Sequence, residues 1–84
     1  MKVTIKYFSW VRVKIQKSHD IFEFTDEITF SKLKNELINK NYFYDEIFKD
    51  KSVKYFLNLK EINEENVTIN DGDEIAFLPP VTGG

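Results

Sequence analysis

Eighty-four residues and 10.0 kDa make one small domain, and 42% hydrophobic with 31% charged residues is the balance of an ordinary globular chain. Cysteine is absent and histidine occurs once, at His19, which excludes a disulfide scaffold, a thiolate nucleophile, an iron–sulfur cluster, a Cys-ligated zinc finger and a multi-histidine metal site within the chain. The net charge of −2 hides a gradient, because residues 1–20 carry +4, residues 21–60 balance and residues 61–84 carry −6; an acidic C-terminal third argues against nucleic acid, which needs clustered positive charge.

Along the chain, Lys2–Phe8 alternates, with Val3, Ile5 and Tyr7 on one face, and reads as a half-buried strand. Over Ser9–Gln16 the alternation of Val11, Val13 and Ile15 with Arg12, Lys14 and Gln16 also favours strand. Lys17-Ser18-His19-Asp20 reads as a turn and Ile21–Thr25 as a further strand. Phe30, Leu33, Leu37 and Ile38 share the spacing of one helical stripe, with Thr29 as first choice of N-cap, Ser31 as second, and an end near Asn39 to Asn41. Tyr42–Ser52 is either irregular or a short helix around Glu46–Phe48. Val53–Leu59 is rich in β formers. Asn63–Asn66 is polar loop, and Val67–Ile69 is a brief strand or a turn. Asn70-Asp71-Gly72-Asp73 is a turn in which Gly72 takes a positive φ, and Glu74–Leu78 is the last strand, ended by Pro79-Pro80. The order predicts an α+β domain over residues 1–78, with one main helix on one sheet face, and a flexible C-terminal tail over residues 79–84. The expected core is Val3, Ile5, Tyr7, Leu33, Leu37, Phe56 or Leu57, Ile75 and Phe77.

No catalytic constellation stands out. The acidic cluster Asp71 to Glu74 lacks the ligand spacing of a calcium loop, Asn66-Val67-Thr68 is an isolated sequon, and no glycine-rich phosphate loop occurs. No apolar run is long enough for a bilayer and no signal peptide opens the chain, so no membrane is expected and the cytoplasm is the expected compartment. The unusual feature is the end of the chain. Pro79-Pro80 directs it away from the last strand, Val81 and Thr82 follow, and Gly83 and Gly84 offer slim backbone and a carboxylate. Glycine permits close approach of backbone to another surface, so these six residues suit insertion into a narrow cleft of a partner. Phe8, Ile62 and Leu78 are the expected docking patch beside them.

The run from Asp71-Gly72-Asp73-Glu74 through Pro79-Pro80-Val81-Thr82-Gly83-Gly84 resembles the C-terminal signature of the ThiS/MoaD sulfur-carrier family, closest to its molybdopterin synthase small-subunit branch. Phe8-Ser9-Trp10-Val11-Arg12 falls where that family has an aromatic, small residues and an arginine, Thr29–Leu37 where it has its helix, and Asn58 where it has an asparagine. The family commonly continues the Arg12 region as a short helix followed by glycine; Val13-Lys14-Ile15-Gln16 has no glycine.

The resemblance implies a β-grasp, ubiquitin-like fold with a mixed sheet. It implies that the Gly84 carboxylate is adenylated by an E1-like adenylyltransferase using ATP, then converted to a thiocarboxylate. It further implies that a large synthase subunit, in a heterotetramer of two small and two large chains, takes the tail and moves sulfur onto cyclic pyranopterin monophosphate to give molybdopterin. Arg12 joins the docking residues on the same ground. Catalytic residues and cofactors would then lie on the partners, and none in this chain. Alternatives are a carrier for thiazole, tRNA thiolation or cysteine synthesis, a ubiquitin-like protein modifier conjugated through Gly84, and an interaction domain with an inert tail.

Overall fold

In the computed structural model, which describes residues 1–80, the elements in chain order are β1 (Lys2–Tyr7), α1 (Ser9–Ile15), β2 (His19–Glu23), β3 (Ile28–Thr29), α2 (Phe30–Lys40), α3 (Phe43–Lys49), β4 (Lys54–Leu57), β5 (Lys60–Glu61), β6 (Thr68–Ile69) and β7 (Glu74–Leu78). Five strands form one mixed sheet in the order β2-β1-β7-β4-β5, and β3 pairs with β6 apart from it. β7 is parallel to β1 and antiparallel to β4, so the last strand of the chain is the middle of the sheet. The helices lie on one face of that sheet. The architecture is the α+β mixed sheet expected, with a β-grasp topology.

Two expectations near the N-terminus are corrected. Ser9–Ile15 is helix, not strand. Val11 and Ile15 are buried and four apart, a spacing that a period of two and a helical period both satisfy. Val13 alone tells them apart, and it is 76% exposed. The expected turn also begins a strand: His19 pairs with Lys6 and Asp20 with Ile5, so β2 starts two residues earlier than the polar run suggests.

α1 closes on a left-handed residue. Gln16 has φ 67° and ψ 29°, and its N–H donates to the Arg12 carbonyl at 2.8 Å. Glycine is the residue helices favour at such a stop, since a Cβ there crowds the backbone. Gln16→Gly is therefore expected to stabilise the fold by about 0.5–1 kcal/mol, read as a higher urea midpoint at unchanged slope.

α2 forms where its stripe is apolar. Phe30, Leu33 and Leu37 are buried, Ile38 packs against the core, and the Thr29 hydroxyl accepts the Lys32 N–H at 3.2 Å as the N-cap. The ambiguous segment after it contains the full helix α3, opened by the Asn41 side chain accepting the Phe43 N–H at 2.9 Å. Its buried face is Tyr44 and Ile47. In β4, Tyr55 and Leu57 pack against the core, so strand parity selects Leu57 over Phe56 for the inner face. The seven other core residues expected from the sequence are all buried, and Val11, Ile15, Ile28, Phe30, Tyr44, Ile47, Val53 and Ile69 join them.

Phe77 is the hub. Its ring meets Tyr7, Tyr44, Phe48 and Tyr55 edge-on, at centroid distances of 5.7, 6.4, 5.6 and 5.1 Å. Beside it the Tyr7 hydroxyl donates to Asp20 Oδ2 at 2.9 Å, which leaves the Tyr44 hydroxyl to donate to the Tyr7 oxygen. This chain ties α3 to β1 and β2, and it satisfies two phenols that the core would otherwise penalise. Pro79 is buried as well. The packed body thus extends one residue past β7.

Candidate functional site: the open sheet face at the end of β7

The face of the sheet away from the helices is built by alternation. Thr4 and Lys6 of β1, Glu74, Ala76 and Leu78 of β7, and Phe56 of β4 all point there, because Ile5, Tyr7, Ile75 and Phe77 point into the core. Cross-strand pairing sets Ala76 between Lys6 and Phe56, and Leu78 opposite Lys54. Phe8 lies one residue beyond the Tyr7–Phe77 pair, as Leu78 does, and it is 40% exposed. An apolar strip of Phe8, Leu78, Ala76 and Phe56 therefore sits where β7 ends. Lys6 and Glu74, 3.3 Å apart, and Lys54 edge it with charge.

Two turns hold the start of β7. Gly72, at φ 83°, turns the chain after β6, and its N–H donates to the Lys2 carbonyl at 2.8 Å. A Cβ at Gly72 would meet nothing within 4 Å, so the glycine serves the dihedral and not the space. Asn58 and Leu59 both have positive φ, at 49° and 73°, in the tight hairpin from β4 to β5. Asn58 tolerates that region and also uses its side chain. Its Nδ2 donates to Asp73 Oδ1 and its Oδ1 accepts the Glu74 N–H, each at 2.9 Å. The two turns are thereby riveted together at the base of the strand that carries the tail.

The candidate docking residues are not all brought together. Phe8 and Leu78 share the open face. Ile62 does not: its N–H donates to the Tyr55 carbonyl at 2.7 Å, and its side chain packs against the core on the helix side, behind β4. Arg12 is exposed on α1. The sequence offers Phe56 only as an alternative core residue and does not single out Ala76; the parity of β7 and β4 places both on the open face. Of the tail, Pro79 is buried and Pro80 exposed, and Val81, Thr82, Gly83 and Gly84 lie outside the described residues. Asp71 already has a structural task, because its Oδ1 accepts the Lys2 N–H at 2.7 Å.

The remaining titratable groups serve structure. Burial pushes the Tyr44 phenol up to about 12, with the Asp20 charge adding to the effect. Burial raises Tyr7 further, with its bond to the Asp20 carboxylate adding to the effect, and burial raises Tyr55 too. All three are neutral core phenols on the helix side. Hydrogen bonds to Ser52 hold the exposed Asp50 carboxyl below the usual range, and the bond to Asp45 raises Lys49. Among the described residues no group of three His, Asp or Glu side chains is placed to hold a metal ion, and no helix is long and apolar enough to cross a membrane.

The described site is an apolar surface edged with charge at the end of β7. The family comparison agrees with that geometry. No curated protein matches the sequence. The putative molybdopterin converting factor subunit 1 of Pyrococcus furiosus superposes with a TM-score of 0.81 at 22% identity, over 96% of this chain and 99% of that one. SAMP1 of Haloferax volcanii gives 0.83 at 18% over the whole of both chains. The Helicobacter pylori complex of subunits 1 and 2 of the molybdopterin-converting factor gives 0.69 at 26%, again over the whole of both chains. The model of the ThiS family matches residues 5–84, and this chain belongs to that family, the ThiS/MoaD sulfur carriers of ubiquitin-like β-grasp fold.

Proposed function

We propose that this chain is the sulfur-carrying small subunit of a molybdopterin synthase, working in the cytoplasm. The observation that carries the reading is the sequence signature Asp71–Gly84, which contains β7, the strand whose open face bears an apolar strip. A Helicobacter pylori relative solved as a complex of subunits 1 and 2 of the molybdopterin-converting factor supports a large-subunit partner.

The chemistry follows from what the chain lacks. With no cysteine, sulfur has to ride on the main chain, as a thiocarboxylate at Gly84. A carboxylate resists substitution until one oxygen is made a leaving group. An E1-like partner supplies ATP for this, releasing pyrophosphate, and a sulfur donor then displaces AMP. The large subunit holds the pterin precursor and the groups that act on it. Thiocarboxylate sulfur attacks the precursor's side chain, where a carbon–oxygen bond breaks and its oxygen leaves, and water then attacks the Gly84 acyl carbon of the resulting thioester, which leaves the sulfur on the pterin and restores the Gly84 carboxylate. The small subunit supplies docking and delivery.

Intact-mass spectrometry tests this. After incubation with the E1-like enzyme, ATP and a sulfur source, one terminal oxygen of the chain should be exchanged for sulfur. The new mass should then vanish on addition of the large subunit and cyclic pyranopterin monophosphate. A thiocarboxylate that persists there assigns the carrier to another sulfur pathway. Conjugates on lysines in cells would assign it to the modifier reading, which the likeness to SAMP1 favours.

The docking half has its own check. Leu78→Asp is expected to weaken large-subunit binding by about 30-fold, the ~2 kcal/mol of an interface hot spot. Its melt should hardly move, since the side chain is only half-buried. Calorimetric titration showing unchanged affinity for Leu78→Asp and Phe8→Asp would take the apolar strip out of the interface.

A further inference from the structure

β2 is an edge of the five-stranded sheet, and no strand of the described residues lies beyond it. Its free groups follow from its pairing with β1. The Phe24 N–H donates to the Met1 carbonyl at 2.8 Å and the Tyr7 N–H to the Ser18 carbonyl at 2.9 Å. Antiparallel alternation then turns the amides of Asp20 and Phe22 toward β1 and those of His19, Ile21 and Glu23 away from it. The side chains of these same three residues lie exposed on the open face, Ile21 at 60%. Edges of this kind are usually blunted by proline, a bulge or an outward lysine. The register of β2 is unbroken over five pairs, and none of the three outward positions is proline or lysine.

The strand is also complementary to itself. A two-fold axis at Ile21 sets Ile21 against Ile21 of a second copy, and His19 against Glu23 of that copy at each side. All three pairs are of the hydrogen-bonded type, so the six free groups of each edge that face outward are satisfied together. The side chains match as well, an imidazole N–H against a carboxylate on either side of an apolar contact. A shift by one residue would present groups already bonded to β1, and a shift by two would set Glu23 against Ile21. The neighbours leave the pairing free. Glu23 has only a loose contact with Lys2, at 3.8 Å with both side chains exposed, Lys6, which stands beside His19, is engaged with Glu74, and His19 uses Nδ1 toward the Ser18 hydroxyl at 3.0 Å, which leaves its Nε2 for the carboxylate across the axis.

We infer that the β2 edge binds a second copy of this chain, centred on Ile21, so that two five-stranded sheets run on as one. The helices of both copies then cover the same side of the joined sheet, and both open faces look the other way. Phe8, Leu78, Ala76 and Phe56 lie on β1, β7 and β4, away from the contact. The two-fold sets β2 antiparallel to its copy, so the two β7 strands also run opposite ways and their C-terminal ends lie at opposite edges of the joined sheet. The dimer presents two carriers that do not obstruct each other.

Sedimentation equilibrium of the full chain, from micromolar to millimolar, tests this. The apparent mass should rise from 10.0 kDa toward twice that value with concentration. Ile21→Lys puts two like charges on the axis and should give a monomer throughout. Ile21→Pro should do so too, since it removes an N–H that β1 does not use. His19→Glu should weaken association by about tenfold or more, by making both flanking pairs repulsive, and the exchange His19→Glu with Glu23→His should restore it. Thermal melts confirm that each variant is folded; Ile21→Lys alters an exposed side chain and keeps the test valid if the proline variant fails. A wild-type chain that stays monomeric, a dimer that survives Ile21→Lys, or an exchange that does not restore association would each overturn the inference. So would a dimer lost with Leu78→Asp and kept with Ile21→Lys, which would place the contact on the docking strip.

Discussion

Deleting Gly84 should abolish sulfur transfer and leave the fold as it is. The residue has no side chain and follows the described body by four positions, so no core contact is lost and the melt should stay within experimental error. Activity should fall to background, because the next carboxylate is one residue short of the place where an activating enzyme expects it. A misplacement of order 1 Å already costs ~100-fold in well-organised reactions, and a residue is several times longer. Adding one residue after Gly84 should act in the same way. Gly83→Leu should fail for a different reason, by adding a side chain where a narrow cleft admits backbone only. The measurement is molybdopterin formation in a coupled assay with the thiocarboxylate followed by intact mass. Full activity in the deletion, the extension and the substitution together would sink the carrier reading.

Phe77→Ala should be the most damaging single truncation in the body. The ring is fully buried and touches four other rings in edge-on geometry, so its loss removes both burial and packing at the meeting point of β1, α3, β4 and β7. A cost of ~3–5 kcal/mol is expected for a large aromatic removed from a core, which is a large part of the stability of a domain this size. Leu37→Ala, also fully buried, belongs in the range ~2–5 kcal/mol. Urea unfolding followed by circular dichroism reads both. A change under 1 kcal/mol for Phe77→Ala would mean that the aromatic cluster is not what holds the sheet to its helices.

How much of this was legible depended on whether local pattern and tertiary demand agreed. In β1, α2 and β7 they did: alternation or helical spacing marked Val3, Ile5, Leu33, Leu37, Ile75 and Phe77, and each is buried. In α1 they conflicted. Val11 and Ile15 fit either period, and the short helix is decided by packing on β1, β7 and α3, which no local pattern reports. The departure from the family's glycine at its end was visible, but Gln16 accepts the left-handed conformation all the same. α3 was obscured because its aromatic residues favour strand in isolation. The apolar strip was half-legible. Phe8, Leu78 and Ile62 were grouped by sequence beside the tail; Phe8 and Leu78 share the open face, whereas the β4–β5 pairing turns Ile62 to the other side of the sheet. Asn58 was visible only as a family position; its two hydrogen bonds to the start of β7 supply the physical reason for it.

On the proposed function, the buried Pro79 gives the sulfur-carrying end a fixed origin of measurement. Five residues follow it, and extended backbone gains at most ~3.3–3.6 Å per residue. The Gly84 carboxyl therefore cannot travel farther than about 18 Å from the rim of the sheet. On the same reading, an enzyme that docks on the open face and acts on Gly84 has to keep its reaction centre inside that radius, whatever chemistry it performs there. The activating and sulfur-accepting enzymes of the proposed function, with no need to resemble one another, would thus be held to a common depth of cleft by the length of one short strip of chain.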